Sequence, residues 1–292
     1  MDWQARERRQ GGEQVMRGNY DEMSFDSLDR LAKIGENMPL AERVVLSEFD
    51  QFRQRFPIDA GRFAAIVSEG RLHQVASDVY DVVQNRDLVR SVVSTFAELG
   101  LEDQHGQVES WDGRIWISMT SSEKHEPVPG DPHAYGFRFW NSYDGSTSVG
   151  CGFYVLRLVC TNGLVAWRRE MAQTHIHIGI QDVAKWLKNA IQHVRAQQAA
   201  FESAIEAATR QRIEGDLDPV FEQLGIGPMV REKVRRNLDI GVEHRTAYDL
   251  MNALTYYASH DLHERPIAAD RYMGVARRIL ENPQVVVVRQ VQ

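Results

Sequence analysis

The sequence predicts an α+β protein: a central antiparallel β-sheet of hairpins packed on a long helix, with a C-terminal helical part. Three observations carry this expectation. Asp112-Gly113 stands between Val108–Trp111 and Ile115–Met119 as a two-residue hairpin signal, and Asp144-Gly145 stands likewise between Ala134–Tyr143 and Val149–Val165. From Gln181 the apolar period changes to that of a helix: Val183, Leu187, Ala190, Ile191, Val194, Phe201, Ile205 and Ala208 form one stripe. Unbroken, that stripe is roughly 45 Å long. A chain of 292 residues, 43% hydrophobic and 9% aromatic, also has the length and apolar content to bury a sizeable core.

The elements follow in order. Residues 1–25 mix Arg, Glu, Gln and Gly without an apolar period, and residues 1–38 are expected to be a flexible tail. A helix is expected from Leu40 to Phe56, before Pro57, and a short one from Ala60 to Glu69, ending at Gly70. His73–Val83 reads as an extended segment and a turn. Asn85 then reads as an N-cap, with Leu88, Val92, Phe96 and Leu99 at helical spacing and Gly100 at the C′ position. After the two hairpins, Trp167–Ile178 reads as a further strand. The long helix ends at Gly215. Shorter helices are expected near Pro219–Leu224, Pro228–Asn237, Thr246–Ser259 and Ala268–Glu281. Val285–Val288 is β-prone and suited to a sheet edge or a second subunit. These divisions give a tail (1–38), an α+β core with the long helix (39–215), and a C-terminal helical region with a β-prone tail (216–292).

Charge and cysteine usage narrow the function classes. There are 34 Lys+Arg against 41 Asp+Glu, a net −7. It is uneven: residues 1–122 carry −7, residues 123–200 carry +2 and residues 201–292 carry −2. Mild acidity argues against blanket coating of nucleic acid, while the central third could still meet a polyanion. Two cysteines, Cys151 and Cys160, give no disulfide framework and point to a reducing, cytoplasmic compartment. No apolar run reaches the roughly 20 residues of a membrane span. The first residues lack the apolar stretch of a secretory signal.

If Asp144-Gly145 is a tight two-residue turn, Arg138 lies opposite Cys151 and Trp140 opposite Val149. One face then collects Arg138, Trp140, Ser142, Cys151, Phe153, Val155 and Arg157. The other collects Phe137, Phe139, Tyr154, Leu156 and Leu158. A sheet face of guanidiniums beside aromatic rings suits single-stranded nucleic acid, whose bases stack at about 1–3 kcal/mol each. Arg168 and Arg169 add charge at the next turn. Lys185, Lys188, Gln192 and Arg195 lie along one helix face. The bland alternative is that the rings are core and the Lys/Arg row is the wet side of a helix. A one-residue slip would exchange the two sheet faces.

Catalytic and metal signals are weak. His175-x-His177 puts two imidazoles on one side of a strand, but a zinc site wants three or four ligands, and His125, His133, His260 and His263 could join only through folding. Cys160 reads as an inert thiol. No glycine-rich phosphate loop, H-E-x-x-H or G-x-S-x-G is present. No cofactor is implied.

Ser77-Asp78-Val79-Tyr80-Asp81-Val82-Val83-Gln84-Asn85, Asn141-Ser142-Tyr143-Asp144-Gly145-Ser146 and Arg157-Leu158-Val159-Cys160-Thr161-Asn162-Gly163-Leu164 resemble three blocks of the phage/plasmid-like family known as domain of unknown function 932. The likeness spans roughly residues 70–280. Val79 stands where the family often carries Arg. The resemblance implies a mobile-element protein and supplies no activity. Together these features lead to an expected non-catalytic, oligomeric protein that binds or anneals single-stranded DNA. A protein-binding factor, such as a host-defence antagonist using the acidic N-terminal third, is the alternative. A metal-dependent nuclease using His175, His177 and Asp144 is a third.

Overall fold

A computed structural model of the chain describes residues 20–45, 63–158, 162–165, 172–173, 180–238, 245–262 and 265–287. The fold is α+β. The strands are β1 (Tyr20–Phe25), β2 (Ala41–Val45), β3 (Phe63–Ser68), β4 (Arg71–Ser77), β5 (His105–Trp111), β6 (Arg114–Val128), β7 (Asp131–Ser142), β8 (Val149–Arg157), β9 (Asn162–Val165) and β10 (Ala172–Gln173). The main antiparallel sheet runs β1-β5-β6-β7-β8-β10, with β9 also on β8. A second sheet runs β2-β3-β4. The helices are α1 (Leu28–Glu36), α2 (Asn85–Glu98), α3 (Ile180–Ala196), α4 (Gln198–Arg210), α5 (Asp218–Leu224), α6 (Pro228–Leu238), α7 (Ala247–Tyr256, extended by a π turn to Asp261) and α8 (Pro266–Glu281).

One face of the main sheet is the apolar core. Ile115, Ile117 and Met119 of β6, Phe137 and Phe139 of β7, and Cys151, Phe153 and Val155 of β8 are buried there. Phe96 of α2 meets Phe137 edge-on at 5.1 Å and Phe139 at 6.0 Å. Phe201 of α4 meets Tyr135 at 5.6 Å and Phe153 at 5.4 Å. The perpendicular rings favour quadrupole contact as well as burial. The same buried cluster runs on through α7 and α8 to Val286.

Several expectations change. Residues 20–38, assigned to the tail, form β1 and α1. Leu28, Leu31, Ile34 and Met38 are a short helical stripe, and with Phe25 they are buried. Ala41–Val45, placed in a helix, is strand β2, and residues 46–56 of that helix lie outside the described residues. Phe63–Ser68, also read as helix, is β3. Glu69-Gly70, both at positive φ (51° and 73°), turns it into β4. Asp112-Gly113 does the same between β5 and β6 (50° and 76°). Asp144-Gly145 does not. Only Gly145 has positive φ, and a tight hairpin of the favoured hand needs it at both positions. Instead Ser142 Oγ accepts from Thr147 N (3.1 Å) and donates to Thr147 O (2.8 Å), and Asp144 Oδ1 accepts from Ser146 N (3.0 Å). A six-residue loop, 143–148, results. The register therefore moves by one: Arg138 pairs with Gly152 and Trp140 with Gly150. The 30-residue helix is two, α3 and α4, broken at Gln197. Its stripe persists across the break, with Leu187, Ala190, Ile191, Val194, Phe201, Ile205 and Ala208 all buried. Of the strand expected over 167–178, Ala172–Gln173 is strand and the rest lies outside the described residues. Val285 and Val286 sit in a 3-10 turn.

Candidate functional site

Three polar or exposed regions stand out beside the apolar core. The first joins the two sheets. Asn141 Nδ2 donates to Val83 O (2.7 Å) and to Asn85 Oδ1 (2.9 Å). The Tyr143 hydroxyl accepts from Asn85 N (3.0 Å), and its proton is shared between Pro39 O (3.2 Å) and Gln84 Oε1 (3.3 Å). The Gln84 amide brackets the backbone of Ala41, accepting from its N–H (2.9 Å) and donating to its carbonyl (2.8 Å). Burial pushes the Tyr143 hydroxyl up to about 12, so it stays neutral and can donate. Next to it, Arg114 binds Asp144, donates from Nε to Ser146 Oγ (2.8 Å) and lies 4.6 Å over Trp111. Burial would raise the Asp144 carboxyl, but Ser146 and Arg114 hold it below the ordinary range. Asp144 is thus a turn-former and ion-pair partner. Asn85 opens α2 while its side chain serves the hub; the N-cap is Gln84.

The second region is the other face of the main sheet, where the nucleic-acid platform was expected. Because of the register, Arg138 and Trp140 share their face with Gly150, Gly152 and Tyr154, while Phe153 and Arg157 lie on the opposite, core face. Arg138 is buried and pairs with Glu109 (3.3 Å) and with Asp270 of α8 (3.8 Å). Phe153 is sealed against Phe201. Arg157 Nε bonds both carboxylate oxygens of Asp131 at 2.7 Å. Trp140 is half-buried and packs against Gly150, where an added Cβ would fall 2.1 Å from the indole. Burial pushes the Tyr154 hydroxyl up to about 12. The expected face of Arg138, Trp140, Phe153 and Arg157 is therefore not assembled: alternation sends two of the four to the other side. Arg168, Arg169, His175 and His177 lie outside the described residues. Lys185, Lys188 and Arg195 are exposed on α3, with Lys188 3.6 Å from Glu98.

Sequence reasoning missed a buried cluster at the start of β7. Asp131 takes Arg157 and the Tyr248 hydroxyl (2.6 Å). That hydroxyl is also 3.2 Å from His133 Nε2. Burial depresses the His133 pKa against the pull of Asp131, and burial with the Asp131 bond raises the Tyr248 hydroxyl above its ordinary range. His125, the cross-strand partner of His133, stacks on Tyr135 at 4.4 Å. The local signal was the alternation Asp131-x-His133-x-Tyr135, but Tyr248 is 117 residues away from Asp131. The cluster fastens α7 to the sheet. Among the described residues no group of three or more His, Cys, Asp or Glu could hold a metal ion. Also among them, no helix is long and apolar enough to cross a membrane.

The third region is the outer face of β2-β3-β4. The inner face packs Ala41 and Ile66 against Tyr143. On the outer face, Phe63 is 41% exposed, Leu72 61% and Val75 53%. The pairings Phe63↔Ser77, Ala65↔Val75 and Val67↔Leu72, with a bulge at His73, put all three on one side together with Val44 and Val67.

The model of one family, domain of unknown function 932 (DUF932), matches residues 72–280. The chain belongs to this family. The DUF932 match begins in β4 and covers Val83, Gln84, Asn85, Asn141 and Tyr143 of the junction, the main sheet from β5 onward and nearly all of α8; β1, α1, Pro39, β2 and β3 precede it. No curated protein and no solved structure matches the chain. Within the DUF932 blocks, Asn85, Asn141, Tyr143, Asp144 and Arg157 all have structural partners.

Proposed function

We propose that the protein acts without catalysis as a protein-docking factor, with the outer face of the β2-β3-β4 sheet as its contact surface. The observation that carries this is the contiguous exposure of Phe63, Leu72 and Val75 on a sheet whose other side is already packed. Apolar groups gathered on one face, and not scattered, are what partners cover. The acidic N-terminal third, the contact surface in the alternative drawn from sequence, includes this sheet. A mobile-element antagonist or assembly factor is compatible with such a surface.

A photo-crosslinker placed at position 72 in cells expressing the full chain tests it. The expected result is a defined adduct with one protein, not formed from position 195 on α3. Adducts at position 195 alone, or none at 72, overturn it.

Binding of single-stranded nucleic acid is the second reading. Its support is the exposed row Lys185, Lys188 and Arg195, now without the sheet platform. Labelled single strands at about 50 and 200 mM salt decide it, since phosphate contacts impose a steep salt slope.

A further inference from the structure

We infer that the partner at the β2-β3-β4 face is a short amphipathic segment of another protein, apolar along one side and carrying Lys or Arg beside that side. This rests on the docking reading above and names the chemistry of the occupant. Register assigns Glu42, Val44, Phe63, Ala65, Val67, Leu72, Val75 and Ser77 to the outer face. Glu42 is the single charged residue among them, and it is exposed. Among the described residues the face therefore offers an apolar strip with one carboxylate and no cation.

Two considerations select the occupant. A second copy would bring another Glu42 to the same apolar strip, with no base on the face to meet it. The exposed apolar area is also carried mainly by three side chains, far short of the roughly 800 Å² per partner of a standard globular interface. A single helix or strand needs less, and a cation beside its apolar side would pair with Glu42. The edge of β4, the last strand of its sheet among the described residues, is a poorer target, because the bulge at His73 breaks its regular hydrogen-bonding row.

The test uses the full chain and two synthetic helical peptides of about 14 residues, one of Leu and Lys, one with each Lys replaced by Glu. Binding is read by peptide anisotropy, with sedimentation of the protein alone in parallel. The Lys peptide is expected to bind about tenfold more tightly than the Glu peptide. Leu72→Gln with Val75→Gln should weaken it by at least about tenfold, and Glu42→Gln should narrow the preference between the two peptides. Equal affinity for both peptides, or binding untouched by the double variant, overturns the inference. A concentration-dependent dimer abolished by the double variant overturns it in favour of a second copy. A double variant of lowered melting temperature, with no peptide bound by the parent, overturns it in favour of residues 46–62 of the same chain. If crosslinking from position 72 still captures a protein while neither peptide binds, the docking reading survives and only the partner's chemistry falls.

Discussion

The polar face of the main sheet and the outer face of the small sheet make an instructive pair. Both carry aromatic or aliphatic groups on antiparallel strands. On the main sheet a guanidinium sits among tryptophans, and the protein covers it: Arg138 meets Glu109 and Asp270, while Trp116 and Tyr154 are buried beside it. On the outer face of the small sheet no cation is present among the described residues, Arg43 and Arg71 falling on the other side of the register, and Phe63, Leu72 and Val75 are left exposed. Residue type is thus a poor guide to which surface is free. The Arg/Trp face resembles a ligand platform and is closed; the plain Phe/Leu/Val face is the open one.

The comparison can be broken most severely at Arg138. Arg138→Ala strips a buried pair of its cation and leaves Glu109 desolvated, at a cost of about 3–5 kcal/mol, read as a lowered urea midpoint. An unchanged midpoint would mean that the face is wet and the platform open after all. Tyr143→Phe is the next largest. It leaves the buried Asn85 N–H without its acceptor and should cost about 1–3 kcal/mol. An effect near zero would show that the two sheets are not tied through this hydroxyl.

The His133 contribution is smaller and depends on pH. Its folded pKa lies below the ordinary 6.5, because burial outweighs Asp131. Below pH 6.5 the unfolded chain takes up a proton that the folded chain refuses. Stability therefore falls as pH drops from about 6.5 toward the folded value, and levels off beneath it. His133→Gln should flatten this part of the curve, as compared by denaturant midpoints at pH 8 and pH 5.5. A persisting slope would assign the effect elsewhere. The smallest effect belongs to the open face: Leu72→Gln and Val75→Gln should each shift stability by no more than about 0.5 kcal/mol. A loss comparable to Arg138→Ala would show that the face is covered within the chain.

Much of the fold was legible locally. Asp112-Gly113 specifies both positive φ values, so its hairpin was placed correctly. Gly100, at positive φ after the Leu99 C-cap, ends α2 as read, while its start was placed one residue late, because Asn85 turns its side chain to Asn141 and Gln84 stands at the N-cap. The helical stripe from Leu187 to Ala208 was visible, but not the break at Gln197, since the apolar spacing runs through it. Asp144-Gly145 misled, because Ser142 and Thr147 close a wider loop that the dipeptide does not reveal. A one-residue shift then moved Phe153 and Arg157 across the sheet. The Asp131, His133 and Tyr248 cluster was illegible, since nothing near Tyr248 marks its partners on β7. The short strands β2 and β3 were read as helix because few residues repeat and alternation was hidden by Ala and Val.

The bracket that Gln84 places around Ala41 has a mechanical consequence. A side-chain amide there does the work of one more peptide unit. It stitches the first residue of β2 to the N-cap residue of α2. Sheet and helix start are thereby coupled, so a displacement of β2 would load the N-cap of α2 together with the Tyr143 hydroxyl that shares Gln84.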